Sequence, residues 1–278
     1  MNRPHRSRFV PALPSLVSFA LLLVCAPASG AQQETGSATP VRFVVLDYMK
    51  VAPGKTDEYL RLERQVWKPV HQARIKNKQM VAWELYDVRY TADTPRQYDY
   101  VTANVYDSFA ATGADSTFEQ VFRRVHGANA SRLLAQTEGA RVTVRSEIWR
   151  LVDGTTMRSA TGAPSRYLQV DFMRSKPGAD YVAVERDLWK PVHQHRVTAG
   201  ALDQWSLFEL MLPGGTSYPY DYGTVNAVSN LSALAAGVTA DLFQRVHPNT
   251  PIADIARRTL ASRDLTRSEL WILVDAAR

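Results

Sequence analysis

The run Trp67-Lys68-Pro69-Val70-His71-Gln72 recurs letter for letter as Trp189-Lys190-Pro191-Val192-His193-Gln194. Working outward, the first run is preceded by Asp47-Tyr48-Met49, Pro53-Gly54 and Glu63, the second by Asp171-Phe172-Met173, Pro177-Gly178 and Glu185. Downstream, Trp83 matches Trp205, Tyr98-Asp99-Tyr100 matches Tyr220-Asp221-Tyr222, and Thr102/Asn104 match Thr224/Asn226. Arg124-Val125-His126 then matches Arg245-Val246-His247. Arg145-Ser146-Glu147-Ile148-Trp149 answers Arg267-Ser268-Glu269-Leu270-Trp271, and each copy closes on Leu-Val-Asp. Such colinearity marks an internal duplication. The copies occupy residues 41–153 and 166–278, separated by a linker at 154–165 rich in Gly, Ser, Thr and Ala.

The periodicity within each copy predicts β-α-β-β-α-β. Val41–Lys50 is β-branched and alternating, a strand pattern. Thr56 or Asp57 opens a helix whose apolar stripe is Leu62, Val66 and Val70. Pro69 lies inside it and is expected to kink or restart it, since proline lacks the amide donor and clashes with the preceding turn. Met80–Tyr90 and Tyr98–Asp107 read as a strand pair, 116–137 as a helical stretch broken near Gly127, and Arg141–Val152 as the last strand. In the second copy Thr250-Pro251 reads as an N-cap followed by proline in the first helical position.

This order is the ferredoxin-like unit, and its duplication resembles the dimeric α/β-barrel superfamily. That superfamily includes antibiotic-biosynthesis-type monooxygenases, haem-degrading monooxygenases and the NIPSNAP group. The resemblance spans the two copies and rests on topology and duplication. It implies an α+β fold: two tandem βαββαβ repeats packed as an intramolecular dimeric α/β-barrel. For activity it implies a cofactor-independent or haem-linked oxygenase. No catalytic motif of any one member family is present, so no residue role is carried over.

Residues 1–30 read as a secretory signal peptide: Arg3, Arg6 and Arg8 without acids, an apolar run to Cys25, then small residues from Ala26 to Ala31. Residues 31–40 follow as a flexible N-terminus. These readings place the protein in the periplasm or outside the cell. A lipid anchor on Cys25 is disfavoured by the bulky Val24 before it. Cys25 is the only cysteine, so the processed chain has no thiol chemistry. The formal charge of +6 falls to +3 once the three leader arginines are set aside. The remaining basic residues form no patch of the kind nucleic acid requires, and no later stretch is long and apolar enough to span a bilayer.

Strand alternation sorts the polar residues by face. Tyr100, Thr102 and Asn104 alternate with Val101, Ala103 and Val105, and Val45, Asp47 and Met49 with Val44, Leu46 and Tyr48. Arg145, Glu147, Trp149 and Leu151 share a face of the last strand. The expectation is one apolar face towards the helices and one mixed face. Two mixed faces meeting would enclose Asp47, Asn104 and Glu147 together with Asp171, Asn226 and Glu269. They would form either a ligand pocket or a satisfied network, with Arg145 and Arg267 paired to these acids.

A second set is Glu63, Trp67 and His71, spaced by four, repeated as Glu185, Trp189 and His193. On one side of a helix they could bind a ligand or act as base and orienting group. Alternatively, His71 and His193 could hold a carbonyl freed by the proline, while His126 and His247 cap helix ends. Metal ligation is disfavoured, because the His193-Gln194-His195 spacing has Ala73 in place of its second histidine in the first copy. His195 against Ala73 and Lys78 against Gly200 hint that one half hosts a site alone. The tryptophans read as core or as a wall for a flat ligand. These features point to a small-molecule-binding barrel, with an enzyme and a structural protein as alternatives. They name neither ligand nor cofactor.

Overall fold

In the computed structural model the described residues are 42–91, 93–113, 115–157 and 163–278. The residues read as a signal peptide and flexible N-terminus, with Val41, and the middle of the linker at 158–162 lie outside them. The first copy runs β1 (Phe43–Val51), α1 (Thr56–Leu62), a π-helical turn (Glu63–Trp67), α2 (Lys68–Lys76), β2 (Ala82–Arg89) and β3 (Tyr100–Tyr106). It continues through α3 (Phe109–Thr112), α4 (Asp115–His126), a short 3-10 turn, α5 (Ala130–Ala140) and β4 (Arg141–Gly154). The second copy gives β5 (Tyr167–Ser175), α6 (Tyr181–Val184), a matching π-helical turn (Glu185–Trp189), α7 (Lys190–Thr198), β6 (Gln204–Leu212) and β7 (Tyr222–Val228). It ends with α8 (Ser232–Ala235), α9 (Ala240–Val246), α10 (Ile252–Ser262) and β8 (Arg263–Ala277).

The strands close into one antiparallel barrel in the order β1-β3-β2-β8-β5-β7-β6-β4. Each copy contributes four strands, and the seams are β2 with β8 and β4 with β6. The last strand of each copy therefore pairs with its own first strand and with the other copy's second. Closure leaves no sheet edge unpaired. No helix among the described residues is long and apolar enough to cross a membrane.

Pro69 and Pro191 neither break nor end their helices. The preceding turn widens to π-helical, with the Lys68 and Lys190 amides bonding the Glu63 and Glu185 carbonyls. Proline then falls in the first turn of the following segment, where its missing donor costs nothing. Pro251 is the N-cap itself, one residue earlier relative to the helix than the sequence suggests.

The expected division of faces needs a larger correction. Val101, Ala103, Leu46 and Tyr48 pack with Trp149 and Trp271 in one cluster, while Tyr100, Met49 and Trp83 pack with the helical residues Tyr59, Leu62 and Val66 in another. Thus Asp47, Thr102 and Asn104 lie on the helix-facing side, whereas Glu147 and Glu269 stand inside the barrel. The polar residues are split between two layers and do not meet in one interior. Alternation fixes parity along a strand, but which parity points inward depends on register and closure.

Candidate functional site

The barrel interior centres on two carboxylates. Glu147, fully buried, accepts from Tyr48 Oη at 2.8 Å, Trp149 Nε1 at 2.9 Å, and the hydroxyls of Tyr218 and Tyr220 at 2.5 Å each. Arg145 is ion-paired to it, with Nε at 2.9 Å. Glu269 accepts from Tyr98 Oη and from Trp271 Nε1 at 2.9 Å, and is ion-paired to Arg267, whose Nε lies 3.2 Å away. Tyr220 of the second copy serves Glu147 of the first, and Tyr98 of the first serves Glu269 of the second, so the network stitches the halves together. Aromatic rings fill the space around it: Tyr48 lies 4.7 Å from Tyr98, and Tyr220 4.6 Å from Phe172. Arg145 and Arg267 lie over the rings of Tyr48 and Phe172 at 4.0 and 4.5 Å. Gly223 stands where the first copy has Val101, and a Cβ there would meet the Trp149 ring at 3.4 Å.

The helix-facing layer brings together Glu63, Asp47 and Asn104, and in the second copy Glu185 and Asp171 beside Asn226. Asn104 Nδ2 donates to Asp47 at 3.1 Å, and Ser146 Oγ donates to the same carboxylate at 2.6 Å. In the second copy Ser268 Oγ donates to Asp171, and Gln169 Nε2 takes the place of the asparagine at 3.1 Å. The Oδ1 atoms of Asn104 and Asn226 are both buried without a hydrogen-bond partner. Burial pushes Glu63 up to about 7, against the opposing pull of Arg141 and the Tyr59 hydroxyl. Glu185 rises to about 6 for the same reason, opposed by Arg263, whose Nε lies 3.2 Å away. Asp171 is also raised by burial, with its hydrogen bonds and Arg263 pulling the other way.

Trp67 and His71, like Trp189 and His193, form a stacked aromatic wall. The His71 ring lies 5.2 Å from Trp83 at 11°, and His193 lies 5.4 Å from Trp205 at 7°. Burial, then the neighbouring Arg74 or Arg196, lowers both imidazoles to about 3, so they are neutral rings. Trp67 and Trp189 donate Nε1 to Thr137 and Thr259, each at 3.1 Å. The carbonyls on the widened turn are held by the other pair of histidines. His126 Nε2 meets the Val66 oxygen at 3.0 Å, and His247 Nε2 meets the Leu188 oxygen at 2.9 Å. That role was expected of His71 and His193. His126 and His247 bridge the two crossover segments of each copy.

The halves differ at the outer rim of this layer. In the second half a groove of about 250 Å³ is lined by Gln169, Ser268, Glu269, Leu270, Leu231 and Leu234, with Tyr90 of the first copy at its mouth. At matching positions the first half has Val45 for Gln169 and Phe109 for Leu231. Phe109 packs against Phe43 with ring centres 5.7 Å apart. Gln169, Ser268, Leu231 and Tyr90 were not singled out from sequence. The available signal was the Gln169/Val45 and Leu231/Phe109 divergence within an otherwise faithful repeat. Lys78 against Gly200 has a different explanation: both have positive φ, 57° and 76°, at a helix end.

Haem, which the superfamily resemblance brings with it, does not fit these residues. His71 and His193 are stacked and buried, His126 and His247 are bonded to backbone, and neither these nor the half-buried His195 on α7 line the groove.

No protein-family model matches the chain, and no curated protein matches it. Solved structures do. A candidate monooxygenase from Fusobacterium nucleatum subsp. nucleatum aligns at TM-score 0.54 and 8% identity, covering 86% of this chain and 94% of its own. A candidate monooxygenase from Lactobacillus acidophilus NCFM aligns at 0.48 and 11%, over 86% and 96%. A haem-binding protein from Thermus thermophilus aligns at 0.46 and 9%, over 84% and 91%. At such identities the likeness is one of fold, and the fold is the ferredoxin-like, dimeric α/β-barrel architecture.

Proposed function

We propose that this chain is an exported protein that binds a small molecule in the groove of its second half. The supporting observation is the contrast between halves. The second has a groove lined by Gln169 and Ser268, both bonded to Asp171, and by Leu231, where the first carries Val45, Ser146 and Phe109. A volume of about 250 Å³ lies below the usual range for drug-sized ligands, so the occupant is small. In this reading the interior carboxylates Glu147 and Glu269 fasten the halves, and the neutral His71 and His193 are packing groups. Export rests on the basic, apolar and small-residue order of the leader.

Native mass spectrometry of the protein purified gently from the exported fraction tests this. The expected result is an added mass that disappears in Leu231→Phe, which carries the first half's larger residue. An added mass unchanged by that substitution would place the ligand elsewhere. A chain that is bare when purified, and whose melting temperature no small-molecule panel raises, would favour a purely structural protein.

A further inference from the structure

We infer that the groove takes a small organic cation, an ammonium group carried on a short apolar body. This rests on the groove being the binding site and adds the chemistry of its occupant. Ser268 spends its only hydroxyl proton on Asp171, so its Oγ offers lone pairs alone. Gln169 directs its amide nitrogen to both oxygens of Asp171, at 3.1 and 3.2 Å, leaving its Oε1 as acceptor. With Glu269 engaged by Tyr98, Trp271 and Arg267, the polar side chains of the lining that keep unused atoms offer acceptors. Leu231, Leu234 and Leu270 supply an apolar wall.

The charge behind that floor has the same sign. Asp171 on β5 and Glu185 on the π-helical turn share one cation, Arg263 of β8, which is paired to Glu185. The Tyr181 hydroxyl on α6 is neutral, its pKa raised by burial. With both acids ionised, this layer holds one negative charge more than positive. Burial makes such an excess costly unless a proton or a cation neutralises it. A bound ammonium would do so while donating to Ser268 Oγ and Gln169 Oε1. Proton and ligand then compete for the same negative charge.

The test is calorimetric titration of the full processed chain with three probes of like shape: 2-phenylethylammonium, 2-phenylethanol and 3-phenylpropanoate. The ammonium is expected to bind about ten-fold more tightly than the alcohol, with no carboxylate binding. Its affinity should fall several-fold from pH 8 to pH 5. Asp171→Asn should remove the preference for ammonium while the alcohol still binds. Should that variant fail to fold, Gln169→Val, which carries the first half's residue, should lower ammonium affinity in the same direction. Equal binding of ammonium and alcohol, or carboxylate binding, overturns the cation inference and leaves the groove reading standing. No binding by any probe overturns this inference. The groove reading itself then stands or falls by whether the native added mass responds to Leu231→Phe.

Discussion

Glu147 and Glu269 occupy matching places in the two halves of the barrel, each ion-paired to an arginine, yet among the described residues Glu147 accepts four hydrogen bonds and Glu269 two. Part of the difference is a single oxygen atom: Tyr48 reaches Glu147, and its counterpart Phe172 has no hydroxyl to offer Glu269. Tyr218, from the second copy, adds another donor to the first half's carboxylate. On the outer layer the asymmetry is reversed. There the second half has a groove lined by Gln169 and Leu231, and the first carries Val45 and Phe109 at those positions. After duplication, then, one half concentrates the fastening, and the halves have diverged at positions that line the groove of the other.

The largest test of that contrast removes the two hubs. Glu147→Ala strands a buried arginine and several hydroxyls and should cost about 3–5 kcal/mol. Glu269→Ala should cost less by about 1–2 kcal/mol, since fewer donors lose their partner. Urea unfolding of the two variants provides the comparison, and equal losses would break it. Tyr48→Phe should reduce the difference at a cost of about 1 kcal/mol.

A second contrast is in pH. Glu63 is raised to about 7 and Glu185 to about 6, both from 4.5. The native state therefore holds these protons more tightly than the unfolded chain. The associated stability is complete below pH 4.5 and is lost as pH rises, through about 6 in the second half and about 7 in the first. On the order of 3 kcal/mol is at stake for Glu63 and 2 for Glu185. Glu63→Gln should flatten the decline in the urea midpoint between pH 5 and pH 8 more than Glu185→Gln does. A wild-type midpoint that rises over this range would contradict the assignment.

Much of the architecture was legible because duplication exposes it: one strand-helix-strand order written twice leaves few ways to close. The layer to which Asp47 or Asn104 belongs was not legible. Each sits on a strand whose two parities both carry apolar residues, and only the register of β1 with β3 and β4 decides which face meets the helices. The spacing of Trp67 and His71 matches two rings that stack, while Glu63 faces Tyr59, Arg141 and Asp47. It did not reveal that His71 would stack on Trp83, a residue of β2, and leave the turn carbonyl to His126. Those contacts join distant segments, and no local pattern encodes them. The groove was least visible, because no motif marks its lining, and the nearest signal is the divergence of Gln169 and Leu231 from Val45 and Phe109.

Those two substitutions allow the smallest and most specific test. Val45→Gln with Phe109→Leu gives the first half the second half's groove residues. Val45 is half-buried beside Ser146 and Asp47, and Phe109 is exposed on a one-turn helix. The loss of stability should therefore be about 1 kcal/mol or less. The new glutamine would lie near Asp47, whose existing donors are Asn104 and Ser146. If the groove is defined by these positions, calorimetric stoichiometry for the ammonium probe should rise from one towards two, with little movement in melting temperature. A stoichiometry that stays at one would mean that Tyr90, at the mouth of the second groove where its counterpart on β6 is Leu212, is needed as well. The site would then belong to the seam between β2 and β8 and to both copies, which makes Tyr90→Leu the variant that decides between the two explanations.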